Sequence, residues 1–197
     1  MDDQRSGSDR FAVPADRRAD APGARRAETA MGDVIHEKVH AEVDEDFVVF
    51  LVGMRINKPW RVGKWLPPFL AMPRLLRRLE ADPDSGLLGY RVVFSPREPM
   101  VVQYWRSAED LFRAATDPEG GHVPAWLAYN RDSDLSGAAG IWHETYLVRA
   151  DAYETSYRNM PPFGLGTVGR LAPAKGTGFG RLVADAEAVE RPGPTEV

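Results

Sequence analysis

The sequence predicts one α+β domain of the ferredoxin-like kind, a four-stranded antiparallel sheet with helices on one face. Two observations carry most of that prediction. The first is a ten-residue apolar strand, Phe47–Ile56, that needs cover on both sides. The second is the order of the periodic segments, which runs strand, helix, strand, strand, helix, strand.

In Phe47–Ile56 (FVVFLVGMRI) both alternating faces are apolar, which separates it from the one-sided strands of an exposed sheet. Val62, Trp65, Leu66, Phe69, Leu76 and Leu79 then recur at helical spacing. Pro67 and Pro68 suit the start of that helix, whereas Pro73 is expected to kink or split it. Residues 87–95 and 99–106 read as two strands, and the linker 96–98 is short enough for a hairpin. Ser107 with Asp110 opens a second helix carrying Leu111, Phe112 and Ala115. The segment 117–121 (DPEGG) breaks it, and a short helix is expected over about 123–131. Residues 138–148 form the last strand. Helices can cover one face of such a sheet, so a partner sheet in a homodimer is the simplest cover for the other.

Of the 197 residues, 43% are hydrophobic, enough for a buried core. Residues 1–33 lack hydrophobic periodicity and read as a disordered arm; 34–171 form the domain; 172–197, rich in Gly, Pro and Ala, read as a flexible tail. The net charge is −4, with basic and acidic residues interspersed, so neither a nucleic acid nor an anionic membrane is an expected partner. No apolar run reaches the roughly 18 residues of a bilayer span. The absence of cysteine excludes disulfides, thiolate catalysis and thiolate metal sites, and fits a cytoplasmic protein.

Two motifs match chemistry by letters. Residues 36–40 (HEKVH) carry the zinc-protease pattern, which requires a helix and a third ligand. The stretch adjoins the N-terminal arm and has no strong helical face, so a solvated lead-in strand is expected. Residues 164–169 (GLGTVG) match a dinucleotide fingerprint, which works only between a strand and a helix. Prolines at 161, 162 and 173 favour a glycine-rich loop closing over the domain.

His122, Trp126 and Asn130 lie four residues apart and share a face if a helix begins near His122. A histidine at a helix N-terminus tends to stay neutral and can then serve as a base or metal ligand; a capping histidine over a packed Trp126 is the competing reading. His143 shares a pleat face with Ile141, Thr145 and Leu147, and Glu144 shares the other with Trp142 and Tyr146. A histidine and a glutamate within a central strand are costly without a partner or a task. One of those faces is therefore expected to be a polar pocket or a hydrogen-bonded interface. Arg55 suits either an anionic substrate or a structural salt bridge.

Residues 47–60 (FVVFLVGMRINKPW), 64–68 (KWLPP), 122–130 (HVPAWLAYN), 140–146 (GIWHETY) and 153–161 (YETSYRNMP) resemble the antibiotic-biosynthesis-monooxygenase-like family of the fumagillin-cluster type. The resemblance implies a dimeric α+β barrel with a pocket between sheet and helices. It also implies a small-molecule monooxygenase-like enzyme of secondary metabolism, using O2 on a natural-product intermediate. In the leading reading no cofactor is required. His143 or His122 takes a proton, Asn130 and Arg55 complete the catalytic set, and Trp126, Trp142, Tyr146 and Glu144 surround the substrate. Other members of the wider superfamily bind haem through a histidine on the helix after the third strand. The alternative is therefore a haem b enzyme, an oxygenase or aldoxime-dehydratase-like lyase, with His122 as axial ligand. A third reading is a non-catalytic dimeric binding partner of a pathway enzyme.

Overall fold

The computed structural model describes residues 33–118 and 137–174. β1 (Val39–Glu42) leads into β2 (Phe47–Ile56), followed by α1 (Val62–Ala81), β3 (Leu87–Val93) and β4 (Met100–Trp105). α2 (Ala108–Thr116), β5 (Ala139–Val148), a 3-10 turn at Gly164–Thr167 and β6 (Arg170–Pro173) complete the order. Four strands form one antiparallel sheet in the order β3-β4-β2-β5. Counted within the sheet, the spatial order is second, third, first, fourth, which is the ferredoxin-like arrangement. β2 is central, which accounts for its apolar side chains on both faces.

The pleat sorts the sheet into two surfaces. On one, Phe50, Val52 and Met54 of β2 align with Thr145, His143 and Ile141 of β5, and Phe50 and Val52 with Gln103 and Val101 of β4. Met54, Ile56 and Ala139 bury against Trp65 and Phe69 of α1, so this is the helix-covered face. Leu76 and Trp105 are its most deeply buried large side chains.

α1 runs as one helix through Pro67, Pro68 and Pro73, where the first two were expected at its start and a kink or split was expected at Pro73. Each proline removes the amide that would bond the carbonyl four residues back. The helix persists because its apolar stripe is fixed on the sheet, and such packing outweighs local propensity. α2 begins as expected: the Asp110 N–H donates to Ser107 Oγ at 3.1 Å. The buried Asp110 carboxylate pairs with Arg106 at 2.7 Å and Arg113 at 2.6 Å. The Arg106 hydrogen bond is the main reason that its carboxyl lies below the ordinary value.

The second face was expected to need a partner throughout, but the chain covers one end of it. β1 pairs antiparallel with β6, and this ribbon with the 3-10 turn brings Ala41 and Leu165 onto Phe47. Backbone amides of the ribbon are satisfied by side chains from the stretch after β5. Ala41 N–H donates to Thr155 Oγ1 at 2.7 Å, and Val43 N–H to Tyr153 Oη at 2.6 Å. Farther along, the Arg91 guanidinium lies 3.5 Å from the centre of the Phe163 ring, a cation–π contact. Toward Gly53 the cover ends, leaving Leu51 and Val102 half-buried and Trp142 and Tyr146 exposed.

β6 continues through Pro173, two residues past the expected domain edge at 171. The remainder of both expected tails, and the helix expected over 123–131, lie outside the described residues. Among the described residues no helix is long and apolar enough to cross a membrane.

Candidate functional site

The site begins with a stripe of α1. Pro68, Phe69, Met72, Pro73 and Leu76 fall three to four residues apart and so face one way, toward the sheet. Opposite them stand Val52, Met54, Val101 and Ile141, and the β3–β4 hairpin adds Val92, Phe94 and Pro99. Between the two walls lies an open-sided cavity of about 130 Å³. None of its lining side chains is ionisable, and apart from weakly accepting methionine sulfurs none carries a hydrogen-bonding group. Such a space takes apolar molecules and holds water poorly.

Polar chemistry stands at its margins. His143 is the register partner of Val52 and lies two residues from Ile141 on the same face, and both of those residues line the cavity. Its ring sits 5.6 Å from that of Phe50, centre to centre, and is exposed. An imidazole is thus one strand spacing from an apolar chamber, where it can meet a ligand that projects from it. Imidazole is the side chain suited to moving a proton near neutral pH. On the inner side stands Gln103, 2% exposed. Its Oε1 accepts the Trp105 Nε1–H at 2.9 Å, and its Nε2 faces the Met72 sulfur at 3.9 Å.

The other expected site residues do not join this cavity. Arg55, Trp142, Glu144 and Tyr146 occupy the opposite face, because each is one residue out of phase with the His143 row. Trp142 and Tyr146 therefore cannot wall a chamber that His143 serves within one subunit, which corrects that expectation. Trp142 lies flat over Gly53, where a Cβ would come within 2.8 Å of the indole. Tyr146 Oη donates to Glu144 Oε2 at 2.7 Å. Arg55 reaches Glu98 at 3.5 Å, both side chains well exposed. His122, Trp126 and Asn130 lie outside the described residues.

Neither letter motif has its functional setting. His36 Nδ1 is 3.2 Å from Asn159 Oδ1, and His40 Nε2 is 3.0 Å from Glu42 Oε1. His40 belongs to β1, so the two imidazoles are not stacked one helical turn apart. Among the described residues no group of His, Asp and Glu side chains could hold a metal ion. Residues 164–167 form the 3-10 turn and 168–169 lead into β6, not into a helix, and Gly164 adopts φ 56°.

What sequence reasoning missed is the cavity wall itself. Phe69 and Leu76 read only as part of a helical apolar pattern that does not include Met72, and only their position against the hairpin leaves a space. Gln103 had a visible signal, an amide at an inward position of the otherwise apolar run Met100–Trp105.

The model of the family described as Monooxygenase af470-like matches residues 47–165, from β2 to the 3-10 turn. The chain belongs to that family. A relative named Monooxygenase af470, from Aspergillus fumigatus, is 30% identical over 132 residues, covering 60% of this chain and 45% of that protein. The chain thus spans less than half the length of this relative. Among solved structures, an aldoxime dehydratase shares the fold at TM-score 0.51 and 18% identity, over 82% of this chain and 46% of the other. SnoaB of Streptomyces nogalater, a cofactor-independent oxygenase, aligns at TM-score 0.38 and 14% identity, over 53% of this chain and 94% of its own. For the Monooxygenase af470-like family, membership places the β2–α1 cavity and the His143 strand within the matched region.

Proposed function

We propose that this chain is a small-molecule oxygenase of secondary metabolism that holds an apolar, acidic substrate between α1 and the sheet, with His143 as general base. One observation carries the reading: a wholly apolar cavity with an imidazole beside it on the same sheet face. The dry wall binds a hydrocarbon skeleton, and the imidazole takes a proton from a carbon acid or phenol at the open edge. The carbanion or phenolate then supplies electrons to O2. For an activated methylene, both C–H bonds break and a carbonyl forms on that carbon. One atom of O2 becomes the carbonyl oxygen, and the other leaves as water with both hydrogens. The electron pairs of the two C–H bonds reduce the O2, so the reaction needs no further reductant.

Haem is the other cofactor reading. A cavity of about 130 Å³ does not fit it, since engineered cavities of about 150 Å³ hold a single benzene ring. The residue proposed as axial ligand, His122, lies outside the described residues, and no step is routed through haem. We also propose a homodimer in which a second copy covers the open end of the other face, around Leu51, Val102, Trp142 and Tyr146.

The test is oxygen uptake with a panel of single-ring carbon acids and phenols. Uptake is expected from colourless protein, and His143→Ala should lower it about 10²- to 10⁴-fold, the usual worth of positioned general-base catalysis. An unchanged rate in that variant removes His143 from the role. A Soret band in the purified protein would put the haem reading in its place. Binding of the panel without uptake would favour the non-catalytic partner.

A further inference from the structure

We infer that Gln103 is the polar anchor of the cavity, donating a hydrogen bond from Nε2 to an acceptor oxygen on an otherwise apolar ligand; this rests on the cavity being the substrate site. The ligand class is a single-ring ketone, quinone or related molecule whose oxygen enters first.

The argument starts from hydrogen-bond accounting. Gln103 is 2% exposed, so water does not serve its amide from bulk. A side-chain amide has one acceptor oxygen and two N–H donors. The oxygen is engaged by the Trp105 indole N–H at 2.9 Å, and because an indole N–H can only donate, that contact settles which way the amide points. Nε2 is thereby turned toward α1. Among the described residues its hydrogen-bond partner there is the Met72 sulfur at 3.9 Å, a weak acceptor. A buried amide with two donors and one thioether is under-satisfied, a costly arrangement unless something else completes it.

Position supplies the link to the cavity. Met72 and Val101 both line it, and Gln103 stands two residues from Val101 on the same face of β4. Met72 therefore separates the apolar chamber from the amide. Its side chain is unbranched and flexible and can swing aside at little cost. A ligand oxygen arriving there would replace a poor acceptor with a good one. His143 lies across β2 from this point, two strand spacings and one residue pair away. That is roughly 10–12 Å between Cα positions, of which the two side chains span part. The remainder suits a single substituted ring, with the anchored oxygen at Gln103 and the opposite edge toward His143.

The experiment uses the full-length protein and two isosteric probes, acetophenone and α-methylstyrene, which differ by a carbonyl oxygen in place of a methylene. The wild type should bind acetophenone about 3- to 10-fold more tightly, as one net hydrogen bond allows. The Gln103 side-chain amide protons should shift in NMR spectra with acetophenone and stay still with α-methylstyrene. Gln103→Leu should bind the two probes equally. Because that variant orphans the Trp105 N–H and can fail to fold, Met72→Leu supplies an independent arm. Removing the competing sulfur should raise the affinity for acetophenone relative to that for α-methylstyrene, whatever the change in the wall does to both. Equal affinities in the wild type with a motionless Gln103 amide overturn the anchor while the cavity reading stands. If neither probe binds, both fall.

Discussion

The two faces of the sheet are built from the same strands and do different things. Under α1 the side chains enclose an apolar space, and the polar groups, Gln103 and His143, stand at its inner and outer margins. On the other face the polar and aromatic groups engage one another directly: Arg91 with Phe163, Tyr146 with Glu144, Trp142 over Gly53. A cavity that keeps donors unsatisfied suits a ligand, whereas a surface whose groups are already paired suits an interface or solvent. On the function proposed above, the difference puts small-molecule chemistry under the helix and assembly on the opposite side. It also explains why residues adjacent in sequence, such as Trp142 and His143, cannot share a task within one subunit.

Breaking the covered end of the second face should have the largest effect. Phe47 is 3% exposed and meets the Tyr153 ring edge-on at 5.4 Å. Phe47→Ala should cost about 3–5 kcal/mol in urea unfolding, because neither the ribbon nor β2 can collapse into the space. Below its melting range the variant should still bind acetophenone, since Phe47 is remote from the α1 wall. Loss of binding in the folded variant would show that the two faces are not independent. The open end should behave differently. Leu51 is half-buried in the monomer and faces Glu144 in register. In the proposed homodimer, Leu51→Glu sets like charges side by side on the contact face. Light scattering should then report a monomer where the wild type is a dimer, with a urea midpoint changed far less than by Phe47→Ala. A monomeric wild type would remove the assembly role from this face.

Most of the fold was legible because it rests on strong local signals. The two-sided run in β2, the Ser107 cap and the hairpin linker each have a short-range physical cause, and the order of elements left few topologies. α1 was harder, because Pro73 argues against a continuous helix and Pro67 and Pro68, read as its start, lie inside it; only long-range packing of Trp65, Phe69 and Leu76 overrides them. A lead-in strand was expected at 36–40, but its pairing into the β1–β6 ribbon was missed because the two segments lie about 130 residues apart. The candidate site was half legible. His143 was identified from the cost of a histidine in a strand, and alternation had already separated it from Glu144. Grouping Trp142 and Tyr146 with it set that alternation aside in favour of an aromatic pocket. A pocket between sheet and helices was implied only by the family resemblance, since a space between two apolar walls leaves no mark in residue types.

The finest contrast concerns Tyr146 and Glu144 at the open end. Tyr146 Oη donates to Glu144 Oε2 at 2.7 Å, and this bond, followed by the carboxylate charge, raises the phenol above its ordinary value of 10.0. A raised folded value means that the interaction is present at neutral pH and is lost as pH climbs through the phenol's titration. Glu144→Gln removes the charged acceptor, so Tyr146 should ionise at lower pH, read from its ring carbon shifts in NMR. If a second copy covers this face, burial should add to the effect, because taking a phenolate out of water is unfavourable. The wild-type dimer should then titrate higher than the Leu51→Glu monomer, with Glu144 present in both. Identical titrations in dimer and monomer would mean that Tyr146 stays in solvent, leaving the contact to Leu51 and its neighbours alone.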